Sequence, residues 1–256
     1  MFNLFNFIIF LSTWVNMAIF VGGWAPPRYI FQKKRARSMH QGIMYILLCV
    51  FGIVVMIDEY FVKGYSLDIC EYHDVIHPDP ETGLYNHSGP LLYSGIQIGW
   101  YVANFLVLVF TPKKYRSGDH ITMLIHHIVT PLLMYLTTVG GYAVTTVWYV
   151  FLHDISDVFL HVAKYLREYK KKLASEIVFG IFAIVFGVTR FVMLPQYPWR
   201  LFWSTPEECA NFSRVFPIID AIIYILSLWW FYLILKICVK ALKGEEVEDS
   251  REEKME

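Results

Sequence analysis

Residues 121–164 read ITMLIHHIVTPLLMYLTTVGGYAVTTVWYVFLHDISDVFLHVAK, two apolar runs joined at Gly140-Gly141. Each run holds about 20 residues, enough at 1.5 Å per residue to cross a hydrocarbon core roughly 30 Å thick. Adjacent glycines end a helix and permit a sharp reversal. The pattern therefore predicts a tight hairpin of two membrane-spanning helices. Inside the apolar runs stand His126-His127, His153-Asp154 and Asp157. Ionisable side chains at that depth are costly, so they face a bundle interior or cavity and mark a functional site.

The rest of the chain extends the first feature. Of its 256 residues, 56% are hydrophobic and 18% aromatic, and the mean hydropathy is +0.44. That is the composition of a polytopic membrane protein, not of a soluble domain. Spans are expected near 5–24, 40–58, 91–110, 121–139, 143–163, 174–194 and 216–238. The expected fold class is all-α, a polytopic membrane protein of about seven transmembrane helices. The first run, Phe2 to Trp24, lacks a basic leading region and a small-residue cleavage site. It reads as a retained signal anchor.

Net charge is zero, but the charges are unevenly placed. Arg28, Lys33, Lys34, Arg35 and Arg37 follow span one, and Lys113, Lys114 and Arg116 follow span three. Lys164, Arg167 and Lys170–Lys172 follow span five, and Lys236, Lys240 and Lys243 follow span seven. Of the alternate loops, 58–90 is more acidic than basic and 195–215 is balanced, so neither carries a basic excess. By the positive-inside rule, the N-terminus is expected in the lumen and the C-terminus in the cytosol. Three units follow: an anchor with its basic loop over 1–37, a helical domain over 38–243, and an acidic, disorder-prone tail over 244–256. Basic residues in short clusters beside apolar spans give no support to nucleic-acid binding.

Four cysteines without a CxxC spacing argue against a structural zinc site. Cys70 and Cys209 fall in loops expected on the lumenal side, where a disulfide is permitted. Asn86-His87-Ser88 and Asn211-Phe212-Ser213 are glycosylation sequons on the same side.

Counted from the charged loop before it, His126 lies about six residues into span four, roughly 9 Å deep. Asp157 lies about seven residues before Lys164, roughly 10 Å deep. The histidine pair and the aspartates thus share a level on two helices expected to be neighbours. Asp154 and Asp157, three apart, share a helix face, as do His153, Asp157 and His161 at four-residue steps. Imidazole titrates near neutrality, which suits proton transfer or nucleophilic attack. A carboxylate bonded to the far ring nitrogen fixes the tautomer and stabilises an imidazolium. Adjacent helical residues point about 100° apart, so one histidine aims at a reacting carbon and the other binds or orients. His126, His127, Asp154 and Asp157 therefore have the parts for acyl transfer without a metal. The bland alternative is a mutually satisfied helix clamp. A metal site is weaker still, because diiron-type sites need more histidines at short repeated spacings. Arg190 in span six and Asp220 in span seven are expected to pair with each other; closing the lumenal end of a cavity is their functional alternative.

His126-His127-Ile128-Val129-Thr130 followed by Leu152-His153-Asp154-Ile155-Ser156-Asp157-Val158-Phe159-Leu160 and Ala163-Lys164 resembles the Lag motif of ceramide synthases, within the TLC-domain family. Val188-Thr189-Arg190 with Leu194-Pro195 adds to the resemblance, which covers roughly residues 38 to 243. It implies a TLC-type helical bundle enclosing a lipid cavity in the endoplasmic-reticulum membrane. It further implies an enzyme joining the acyl chain of a fatty acyl-CoA to the amine of a sphingoid base, with acyl-CoA as co-substrate and no resident cofactor. The family's paired histidines and motif aspartates fall on His126, His127, Asp154 and Asp157, leaving His153 and His161 as substrate-binding candidates. A homodimer is compatible with this reading.

The chain also departs from the family pattern. His161 stands where the family commonly has Glu, the tight turn reads Gly140-Gly141-Tyr142, and no homeobox-like segment fits into 28–38. Two alternatives remain open. One is a non-enzymatic TLC protein that senses or organises lipid or assists translocation, although the translocation-associated branch generally lacks these histidines and aspartates. The other is a proton-coupled transporter using them as a relay, for which no repeated broken helices are visible.

Overall fold

The computed structural model describes residues 2–22, 34–64, 88–113, 116–203 and 215–243. Cys70, Cys209, the asparagines of both sequons, most of the basic loop after span one and the acidic tail lie outside them. Among the described residues the secondary structure is helical throughout. The helices are α1 (Phe2–Gly22), α2 (Lys34–Ile57), α3 (Ser88–Phe110), α4 (His120–Val139), α5 (Ala143–Glu168), α6 (Lys172–Val188), α7 (Gln196–Trp203) and α8 (Val215–Leu242). Single π-helical turns extend α2 over Asp58–Val62 and α6 over Thr189–Met193. Six helices are long and apolar enough to cross a membrane: Met39–Val62, Ser88–Phe110, His120–Val139, Ala143–Glu168, Lys172–Arg200 and Val215–Leu242. They coincide with the six later expected spans. In α1, the described apolar stretch, Leu4–Ala18, is shorter. The chain is an all-α polytopic membrane protein.

The spans assemble pairwise, with α1 on α3, α2 on α5, α5 on α6, and α4 against α3 and α8. Small residues set the closest approaches, as expected where lipid offers no hydrophobic drive for helix association. A Cβ on Gly99 would stand 2.5 Å from the Ser12 Cβ, and one on Gly95 would stand 2.6 Å from Ile8. Ser12 Oγ also donates to the Ile96 carbonyl at 2.9 Å, fixing α1 on α3. Phe5, Leu48, Tyr93, Trp100, Tyr101, Met134 and Val150 form the largest buried cluster. A second joins Phe182, Phe186, Leu226, Trp230 and Ile234 between α6 and α8. Ile184, Ile218 and Ile225 remain outward-facing and well exposed, as lipid-contacting side chains do.

The glycine turn forms as expected. Gly140 N–H bonds the Leu136 carbonyl, Gly141 adopts φ +95°, and α5 begins at Ala143. Thr146 Oγ1 donates to Thr137 Oγ1 at 2.8 Å, pinning the two helices beside the turn. Beyond it they do not remain the close neighbours that the sequence suggested. The turn constrains only their ends, while α4 finds its surface on α3 and α8 and α5 finds its own on α2 and α6.

Candidate active site

Three helices build the site. From α4, His126 and His127 are both buried, their rings 5.3 Å apart and nearly perpendicular. His127 Nδ1 lies 2.9 Å from the Met123 carbonyl. A carbonyl only accepts, so Nδ1 carries the proton and Nε2 carries the lone pair. His126 Nδ1 contacts Thr130 Oγ1 at 3.0 Å, and its ring meets Trp230 of α8 edge-on at 5.2 Å.

From α5, Asp154 is fully buried and Asp157 half-buried. The hydrogen bond to Asp154 comes from Gln97 of α3, whose Nε2 donates to Oδ2 at 2.6 Å and also to the Tyr93 hydroxyl at 2.9 Å. Tyr101, one turn further along α3, packs its ring 5.7 Å from His126 and 5.5 Å from His127. Its hydroxyl lies within the electrostatic reach of the Asp154 carboxyl, whose hydrogen bond comes from Gln97. The third helix therefore stands between the groups that the sequence had placed face to face. The histidines and Asp154 share a level, but a tyrosine and a glutamine join them. Sequence reasoning missed Tyr93, Gln97 and Tyr101, although their four-residue spacing puts them on one face.

His153 is buried and turns away from the pair. Its Nδ1 donates to the Tyr149 carbonyl at 3.0 Å, and its ring lies 4.7 Å from that of Tyr149. His161 sits one turn beyond Asp157, stacked on Tyr45 at 5.4 Å and close against Gly42 in the α2–α5 contact.

Arg190 and Asp220 do not pair directly, contrary to the sequence expectation. Arg190 Nη2 donates to the His153 carbonyl at 3.1 Å, and its guanidinium lies 5.1 Å from the Phe186 ring centre. Asp220 instead accepts the Tyr149 hydroxyl. The two charges are bridged through α5, because the π-helical turn at Thr189–Met193 carries Arg190 towards His153. Beside this bridge, towards the glycine turn, lies a small apolar cavity of about 40 Å³, lined by Leu133, Met134, Tyr142, Tyr149, Phe216 and Asp220 among others.

Fold and site together define a polytopic helical membrane protein with a buried His–Tyr–Asp cluster. The TLC domain matches residues 34–236, and the chain belongs to that family. Among its relatives are ceramide synthase LOH2 of Arabidopsis thaliana, 24% identical, with 88% of this chain and 86% of the relative aligned. Ceramide synthase hyl-2 of Caenorhabditis elegans is 26% identical over 86% of this chain and 68% of its own. Ceramide synthase 3 of Mus musculus is 29% identical over 86% of this chain but 55% of its own length.

Proposed function

We propose that this chain is an acyl-CoA-dependent N-acyltransferase of the endoplasmic-reticulum membrane that acylates a sphingoid base, with the N-terminus lumenal and the C-terminus cytosolic. The observation that carries the reading is the buried juxtaposition of His126, His127, Tyr101 and Asp154 in a chain similar to ceramide synthases. An imidazole with a lone pair on Nε2 has two uses here. As base, it removes a proton from the amine as nitrogen bonds to the thioester carbon, the C–S bond breaks and CoA leaves as the thiolate, which is then protonated. As nucleophile, it displaces CoA to give an acyl-imidazole, which the amine then attacks to form the amide and free the histidine. Tyr101 fixes both rings, and the Asp154 and Asp157 carboxyls offset positive charge developing on imidazole or amine.

The test supplies purified protein with acyl-CoA and a sphingoid base and measures amide and free CoA, with His127→Ala and Asp157→Asn alongside. Product that falls at least 100-fold in His127→Ala fits a base or nucleophile. Equal product from the wild type and both variants sinks the assignment. One equivalent of CoA released before amine is added selects the covalent route.

A further inference from the structure

Arg190 is a buried guanidinium in a membrane span, exposed by only 6%. One of its nitrogens is bonded to the His153 carbonyl, while Nε and Nη1 are buried without a partner. His153, 3% exposed, has Nδ1 committed to the Tyr149 carbonyl, which leaves Nε2 as a lone-pair acceptor, also buried without a partner. Buried polar groups are overwhelmingly satisfied, so orphans in one place call for an explanation. Here the bond from Nη2 to the His153 carbonyl holds the guanidinium beside His153, so the orphans belong to two neighbouring residues.

We infer that Arg190 and His153 recognise a hydroxyl group of the amine substrate. The inference rests on the acyltransferase reading for the identity of that ligand. A hydroxyl is the group that suits an adjacent donor and acceptor, because its oxygen accepts from the guanidinium and its proton is donated to Nε2. A phosphate or carboxylate has no proton to offer His153. An ammonium has no lone pair for Arg190 and is repelled by its charge. The amine of the same headgroup instead belongs beside Asp154, the residue following His153. Tyr149 connects this patch to the apolar cavity: its ring packs on His153 and it lines the space beyond. A long-chain amino alcohol thus has a place for its hydroxyl at Arg190 and His153 and for its amine towards the aspartates, with Tyr149 marking the side on which its apolar tail begins.

The assay is displacement of tritiated sphinganine from the full-length protein in detergent, by unlabelled sphinganine and by octadecylamine, which has the same length and no hydroxyl. A site built around a hydroxyl discriminates against its absence, so octadecylamine should displace between about tenfold and hundredfold less well on the wild type. In Arg190→Met and His153→Phe the gap should close to about twofold. Equal displacement by both amines on the wild type, or no sphinganine binding at all, overturns the inference. So does an undiminished gap in a folded variant. If the variants do not fold, the wild-type comparison still decides. Because the readout is displacement, failure here is distinct from failure to form amide.

Discussion

Gln97 on α3 donates a 2.6 Å hydrogen bond to Asp154 on α5, and neither residue has any exposure to solvent. The bond ties two helices at the level of the histidines and sets which way the carboxyl faces. Leaving a buried polar group without its hydrogen-bond partner costs about 1–3 kcal/mol. The Gln97→Leu protein should therefore lose about 2 kcal/mol of stability in detergent. Its amide-forming rate should fall between roughly tenfold and hundredfold. Thermal unfolding and initial rates measure the two effects. A wild-type rate in a folded Gln97→Leu protein would separate Asp154 orientation from turnover.

Thr130 holds the Nδ1 of His126 at 3.0 Å and is itself buried. Its hydroxyl orients a ring that Tyr101 and Trp230 also hold on two sides. Thr130→Val should slow amide formation by less than about tenfold, since one of three restraints is lost and the imidazole remains. His126→Ala removes the imidazole and should cost at least about 100-fold. Initial rates at saturating acyl-CoA and amine compare the two. If Thr130→Val is as inactive as His126→Ala, the hydroxyl does more than orient.

The helices were legible because a bilayer demands long apolar runs, and the histidines and aspartates because charge inside such runs stands out. What counting along a helix could not give was azimuth. Depth placed His126 near the level of Asp157, yet it could not reveal that Tyr101 lies between the histidines and the aspartates. Gln97, Tyr93 and Tyr101 carry no charge, so nothing in the hydropathy singled them out. The expected Arg190–Asp220 pair failed for a related reason. Both were expected to meet between spans six and seven, but Arg190 stands in a π-helical turn and bonds the His153 carbonyl, and apolar sequence gives no sign of such a turn.

Tyr149 lies at the join between the polar site and the cavity, with its hydroxyl donated to Asp220. Tyr149→Phe keeps the ring that packs on His153 but leaves the Asp220 carboxyl without this donor. The expected loss is about 1–3 kcal/mol, the range for leaving a buried polar group unsatisfied. Asp220→Asn keeps an acceptor for the tyrosine and should lose less than about 1 kcal/mol. Unfolding of both proteins in one detergent checks the order. Losses in the reverse order would show that the charge of Asp220, not its bond to Tyr149, stabilises this part of the bundle.

Docking of α1 depends on the absence of a side chain at Gly99. A Cβ there would meet Ser12 Cβ at 2.5 Å and the Ile9 carbonyl at 2.9 Å, so even a methyl group forces the helices apart. Gly99→Ala should cost about 1–3 kcal/mol through overpacking, despite the better helix propensity of alanine. The cost should fall when the opposing bulk is removed. Ser12→Gly combined with Gly99→Ala returns room to the contact, while giving up the hydrogen bond to Ile96, worth about 0.5–1.5 kcal/mol. The double variant should therefore be more stable than the sum of the two single losses indicates, with a coupling of at least about 0.5 kcal/mol. A thermal-unfolding cycle over the four proteins measures that coupling. Strict additivity would mean that α1 and α3 are not in contact at this position.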